Sequence, residues 1–189
     1  MSDIKPPLAE QWNEKLLAKA ASIKLIALDV DGIMSDGRLY FSATGDELKA
    51  FNILDGLGLK QLMKAGITVA VITGRRSPLT EKRMKDLGIP HLMQGREDKK
   101  VALMELIADM DLQPEQIAYM GDDLPDLPAL TFAGLGITVP NGYWLVQQQA
   151  DYCTQTAGGA GAVREACDLI LWAQGHLTQT LAPYTGTPS

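Results

Sequence analysis

Four short clusters carry the side chains that a phosphoryl-transfer site requires. They are Asp29-Val30-Asp31-Gly32, Thr73-Gly74-Arg75, Lys99, and Gly121-Asp122-Asp123. Three carboxylates at Asp29, Asp31 and Asp122, if gathered at one place, repel one another unless a cation sits among them. A hard, oxygen-seeking ion such as Mg²⁺ meets that need, and it keeps room in its shell for waters and a phosphate oxygen. The hydroxyl of Thr73 and the ammonium of Lys99 then supply donors for the charge that builds on the phosphoryl oxygens. An aspartate nucleophile divides hydrolysis into two displacements with an acyl phosphate between them. Asp29 directly follows an apolar run and suits that part. Asp31, two residues on, can protonate a leaving alkoxide and later take a proton from water.

These clusters can meet only if the elements before them bring them to one edge. Residues 23–30 read as a buried strand running into Asp29, and 67–72 as a second strand ending at Thr73. The series continues as helix 78–87, strand 89–93, helix 98–109, strand 116–120, helix 124–132 and strand 135–139. This alternation of apolar runs and amphipathic stretches predicts an α/β fold, a Rossmann-like parallel sheet with helices on both faces. Ligands in such sheets bind beyond the carboxyl ends of the strands, where all four clusters fall. Residues 38–42 and 47–51 flank Ala43-Thr44-Gly45-Asp46 and read as a β-hairpin insert, about 37–52 overall. A leading helix over 8–20, helices over 56–65, 143–149 and 161–174, a short strand near Tyr152 and a frayed tail over 177–189 complete the expectation of one domain.

The bulk properties narrow the function classes. The chain has 189 residues, 46% hydrophobic and 21% charged, with a formal charge of -6. That is enough apolar material for one core, and the acidic balance offers no basic face to nucleic acid or an anionic bilayer. No apolar run approaches the roughly 20 residues of a membrane-spanning helix. The first residues lack a basic segment followed by an apolar stretch, so the protein is expected to work in the cytoplasm. Cys153 and Cys167 are expected to be reduced, buried thiols, and His91 and His176 are too few and too far apart for a metal site.

With the residues in this order on these elements, Asp29-Val30-Asp31-Gly32, Thr73, Lys99 and Gly121-Asp122-Asp123-Leu124-Pro125-Asp126 resemble the four motifs of the haloacid dehalogenase superfamily. The resemblance implies Asp29 as nucleophile, Asp31 as general acid/base, and Thr73 and Lys99 as phosphoryl ligands. It implies Mg²⁺ held by Asp122, Asp29 and the Asp31 carbonyl, with Asp123 and Asp126 as supporting acids. Only a hairpin separates Gly32 from the next helix, and 25 residues separate Thr73 from Lys99, which leaves no room for a lid domain. This capless layout, with Asp36-Gly37-Arg38-Leu39-Tyr40, Phe51-Asn52-Ile53-Leu54-Asp55-Gly56 and the Gly158-Gly159-Ala160-Gly161 run, resembles the branch that hydrolyses 3-deoxy-D-manno-octulosonate 8-phosphate in lipopolysaccharide biosynthesis. That branch implies a homotetramer with hairpins in contact, and substrate contacts at Asp31, Asn52, Ile53, Leu54, Asp55, Gly56, Lys60, Arg75, Arg83 and Lys99. Two positions depart from it: Leu54 stands where several members carry arginine, and Ala160 interrupts a Gly-Gly-Arg-Gly run. A related substrate, such as a sialic-type 9-phosphate, therefore stays open.

Other readings of single motifs are weaker in combination. Asp-Val-Asp-Gly alone makes a turn, and Thr73 alone makes a helix cap. Arg75, Arg83 and Lys60 could each be part of a solvated helix face. A signalling receiver domain also gathers Asp, Thr, Lys and Mg²⁺, but its phosphate acceptor lies on a middle strand after an early acidic pair. A partner-binding regulator would keep the fold without turnover. Leu39, Tyr40 and Phe41 have little local core to cover them and are expected to meet another subunit.

Overall fold

The computed structural model describes residues 5–185. Strand β1 (Leu25–Leu28) lies at the centre of a six-stranded parallel sheet with β4 (Thr68–Thr73), β5 (His91–Gln94), β6 (Ile117–Met120), β7 (Leu135–Thr138) and β8 (Tyr152–Cys153). Two short strands, β2 (Tyr40–Phe41) and β3 (Glu47–Leu48), form the separate antiparallel hairpin. The sheet order is β5-β4-β1-β6-β7-β8, with β1 in parallel register against both β4 and β6. The chain first winds outward through β4 and β5, then returns to the other side of β1. Strand order thus reverses at β1, and a crevice opens beyond its carboxyl end.

Period-two alternation sorts the strand residues onto two faces. Ile26 and Leu28 of β1 join Val69, Val71, Ala118 and Met120 in one apolar cluster. That cluster takes in α1 (Glu14–Ala21), α2 (Ile53–Lys64), α3 (Pro78–Leu87) and α7 (Ala162–Ala173). Leu25 and Ala27 join Ala70, Ile72, Ile117 and Tyr119 against α4 (Lys99–Ile107), α5 (Leu127–Phe132) and α6 (Trp144–Gln149). The central strands are apolar on both faces because both are covered. No helix among the described residues is long and apolar enough to cross a membrane.

Several boundaries differ from the sequence reading, each for a local reason. The first helix starts at Glu14, because the Asn13 side chain accepts from the Leu16 N–H and caps it; Ala9 and Trp12 are buried from a turn ahead of it. The hairpin ladder holds only Tyr40↔Leu48 and Phe41↔Glu47, its turn closed by Ser42 and Thr44 hydroxyls on Asp46. The expected frayed tail is instead helix α8 (Leu177–Thr185), with Leu177 and Ala182 buried; residues 186–189 lie outside the described part. Cys153 is exposed, contrary to expectation, while Cys167 is buried, and both are free thiols.

Candidate active site

Each site residue owes its place to the strand or turn before it. The Asp29 N–H donates to the Met120 carbonyl at 2.9 Å, which continues the β1–β6 ladder to Asp29. The Val30 carbonyl then accepts from the N–H groups of Ile33, Met34 and Ser35 at 3.3, 2.9 and 3.0 Å, folding the chain into a tight turn. Gly32 occupies that turn at φ +92°, where a Cβ would lie 2.0 Å from Asp122 Oδ2. Only glycine lets the two acidic loops approach this closely. Thr73 ends β4 at 3% exposure, and Lys99 opens α4 at 4%.

An open cleft of about 390 Å³ is lined by Asp29, Asp31, Gly37, Thr73, Gly74, Arg75, Glu97, Lys99, Asp122, Asp123, Pro125 and Asp126. The four sequence clusters therefore do converge. At the floor, Lys99 Nζ lies 2.9 Å from Asp29 Oδ2 and 2.6 Å from Asp126 Oδ1. Carboxylate oxygens of Asp29, Asp122 and Asp126 all lie within 4.8 Å of one another.

These three acids are not equivalent. Asp126 is saturated, with Oδ1 accepting from Lys99 and from Tyr119 Oη (2.8 Å), and Oδ2 from the N–H groups of Asp122 and Asp123 (both 3.2 Å). It braces the loop and the lysine. Asp29 Oδ1 and Asp122 Oδ1 are buried with no hydrogen-bond partner. Buried acceptors without donors are costly. Burial first, and then the charge of Asp126, raises both carboxyls from 3.8 to about 7, only partly offset by Lys99. Burial opposes the Lys99 ammonium too, but Asp29 and Asp126 outweigh it and hold its pKa above the ordinary value. Two orphaned, mutually repelling carboxylate oxygens beside open space fit a hard divalent cation, with Asp29 and Asp122 as its protein ligands.

The carboxylate of Asp31 stands apart from this cluster. Its Oδ1 is ion-paired to Lys49 and lies 3.4 Å from Ser35 Oγ, while Oδ2 is buried without a hydrogen-bond partner, 4.0 Å from Arg75 Nε. Arg75 reaches the cleft but is held by Glu47 of the hairpin at 3.0 Å.

The remaining expected substrate residues lie outside this cleft. Asn52 caps α2 by accepting from the Leu54 N–H at 2.8 Å. Asp55 is 1% exposed and accepts from the Arg164 N–H at 2.8 Å, serving as a cap for α7 that Gly161 cannot supply. Burial is the main reason its pKa rises to about 6. Gly56 makes room for Arg83, whose Nη2 would sit 2.4 Å from a Cβ there; Arg83 donates to the Asn52 carbonyl at 3.3 Å. Ile53, Leu54 and Lys60 are exposed along α2. Lys49, Tyr119 and Ser35 were not singled out from the sequence. Tyr119 reads as one more apolar strand residue, and nothing local marks Lys49 among the other lysines.

Parallel sheet, switch-point acids and bracing lysine together define a haloacid dehalogenase-like hydrolase, and the family model of that description matches residues 88–166. The 3-deoxy-D-manno-octulosonate 8-phosphate phosphatase of Yersinia pestis is 51% identical over 87% of this chain and 88% of its own length. The phosphatase of the same name from Moraxella catarrhalis, solved with magnesium, phosphate and the KDO molecule, superposes with a TM-score of 0.88 at 48% identity, covering 89% of this chain and 97% of that one. The cobalt-bound deoxy-D-mannose-octulosonate 8-phosphate phosphatase of Haemophilus influenzae gives 0.81 at 42% identity, covering 84% and 93%. By identity and coverage, the chain belongs to the 3-deoxy-D-manno-octulosonate 8-phosphate phosphatase family.

Proposed function

We propose that this protein hydrolyses 3-deoxy-D-manno-octulosonate 8-phosphate to the free sugar acid and phosphate, in the route to lipopolysaccharide, with Mg²⁺ as cofactor. The observation that carries the chemistry is the pair of buried, unpartnered oxygens on Asp29 and Asp122 beside Lys99. The substrate rests on family membership and on the magnesium, phosphate and KDO molecule held by the Moraxella relative.

In this reading a carboxylate oxygen of Asp29 attacks phosphorus, and the P–O bond to the sugar breaks. The leaving oxygen takes the electron pair and a proton from Asp31. Water, deprotonated by Asp31, then attacks phosphorus, and the Asp29–P bond breaks to return the carboxylate and release phosphate. Thr73 and Lys99 donate to the phosphoryl oxygens as charge accumulates. Mg²⁺, held by Asp29, the Asp31 carbonyl and Asp122, would neutralise the substrate phosphate and the acids around it. Asp123 and Asp126 support the metal loop, and Arg75 at the rim is an anion contact.

The working form in this reading is a cytoplasmic homotetramer. Leu39, Tyr40, Phe41 and Leu48 on the hairpin and Ile53 and Leu54 on α2 are exposed apolar side chains, 40% to 78% accessible, which supports burial against neighbouring copies. Such packing would also let Asn52, Ile53, Leu54, Asp55, Gly56, Lys60 and Arg83 take part in a substrate site shared between subunits.

The test is phosphate release with Mg²⁺ from the octulosonate 8-phosphate, a sialic-type 9-phosphate and hexose phosphates. A clear preference for the first is expected. Preference for the nine-carbon acid would move the substrate assignment and trace it to Leu54, which offers no charge to a sugar carboxylate.

A further inference from the structure

The acid/base position is gripped from outside the cleft. Lys49 follows β3 in the hairpin, and its side chain is only 4% exposed. Lysine is seldom buried to that degree without a fixed partner, and here the partner is Asp31 Oδ1. Lys49 is not among the residues lining the carboxylate cleft; it borders the apolar hollow beneath the hairpin, with Tyr40, Leu48 and Leu79. Lys49 thus reaches Asp31 from the hairpin. Ser35 Oγ, itself anchored on the Val30 carbonyl at 3.3 Å, lies 3.4 Å from the same oxygen. Asp31 lines the cleft, and its other oxygen, Oδ2, is buried without a hydrogen-bond partner, 4.0 Å from Arg75 Nε. Glu47, two residues before Lys49, restrains Arg75 at 3.0 Å. The hairpin therefore reaches Asp31 directly through Lys49 and indirectly through Arg75, which lies 4.0 Å from Oδ2.

We propose that Lys49 is a positioning residue for the reaction: by engaging Asp31 Oδ1 it fixes the orientation in which the carboxyl group exchanges the proton with the leaving oxygen and later with water. This rests on Asp31 being the acid/base. The hairpin insert then has a role beyond subunit contact, because its placement sets the aim of the proton-transfer group.

The test exploits leaving groups. Release of an alkoxide from the octulosonate 8-phosphate needs the proton, whereas p-nitrophenolate leaves without one. A misaimed general acid, displaced on the 1 Å scale, costs about 10²-fold. Lys49→Met is expected to lower the single-turnover rate of alcohol release from the sugar-acid phosphate by about that factor, with KM within about twofold and single-turnover release of p-nitrophenolate within about threefold, a readout that stops before the water step both substrates share. Lys49→Arg, keeping the charge, should recover at least a third of the lost rate on a logarithmic scale. In an Asp31→Asn background, Lys49→Met should add almost nothing. Equal losses on both substrates, or a change confined to KM, would overturn the proposal, the latter making Lys49 a substrate contact. The Asp31→Asn arm separates the two readings: if that variant itself treats both substrates alike, the acid/base assignment fails; if it discriminates and Lys49→Met does not, only the role of Lys49 fails. Should Lys49→Met not fold, Lys49→Gln and Lys49→Arg carry the same comparison.

Discussion

The loop 157–161 packs on the turn that carries Asp29 and Asp31, and a single methyl group tests how much that packing matters. Gly158 donates its N–H to Asn141 Oδ1 at 2.8 Å, and the Gly159 N–H donates to the Ile33 carbonyl at 2.9 Å. A Cβ on Gly158 would lie 1.7 Å from the Gly32 carbonyl oxygen and 2.6 Å from its carbon. Ordinary carbon–oxygen contact begins near 3.2 Å, so the two backbones must part by about 1.5 Å, with no flexible side chain to absorb the change. Gly32 cannot retreat freely, since its other side faces Asp122. The displacement passes to Asp31, the adjoining residue, and to the gap between Asp29 and Asp122. Gly158→Ala should therefore lower kcat about 10²-fold and cost about 1–3 kcal/mol of stability by overpacking. Gly175→Ala is the control: φ is +71°, but the space around it is empty, so the cost is about 1 kcal/mol of backbone strain with kcat unchanged. Steady-state kinetics and thermal melts of both variants decide the matter. A Gly158→Ala enzyme with kcat within threefold of wild type and an unshifted melt would refute the coupling.

Three further outcomes follow from buried polar groups. Asp55, with its pKa raised from 3.8 to about 6, binds its proton more tightly folded than unfolded, so its contribution is full below about pH 4 and fades as pH rises through about 6. Relative to Asp55→Asn, wild type should lose about 2–3 kcal/mol across that window by denaturant titration; a difference flat with pH would count against it. Asp29 and Asp122, raised to about 7, hold protons that a metal must displace, so Mg²⁺ affinity should fall as pH drops below 7, with proton release visible by calorimetry in two buffers; pH-independent binding would contradict this. Both amide atoms of Gln61 are buried without partners, so Gln61→Met should gain about 1–2 kcal/mol, raising the melting temperature by about 2–8 °C, whereas a lower melting point would reveal a bridging water.

The convergence of the four clusters was legible because their residues lie at the ends of apolar strands. Asp29, Thr73 and Asp122 each follow a run that can only be a buried strand, and parallel topology then brings those ends together. What the sequence could not reveal depends on contacts between distant segments. Asp55 reads as a helix-start acid near substrate, but its carboxylate caps a helix more than a hundred residues later. Lys49 looks like any exposed hairpin lysine until its side chain is found against Asp31. Asp126 is readable as a supporting acid, yet only the fold shows it occupied by four donors, leaving the orphaned oxygens to Asp29 and Asp122. Helix α8 has no capping residue at its start, where His176 precedes Leu177, and burial of Leu177 and Ala182 gives it form.

In the proposed reaction Asp29 takes the phosphoryl group from the octulosonate 8-phosphate. The most direct measurement is phosphate release from that substrate with Mg²⁺ by wild type and Asp29→Asn, with matched thermal melts. Wild type should release phosphate rapidly, and the folded variant at least about 10⁴-fold more slowly. Release by Asp29→Asn within tenfold of wild type would contradict that role for Asp29.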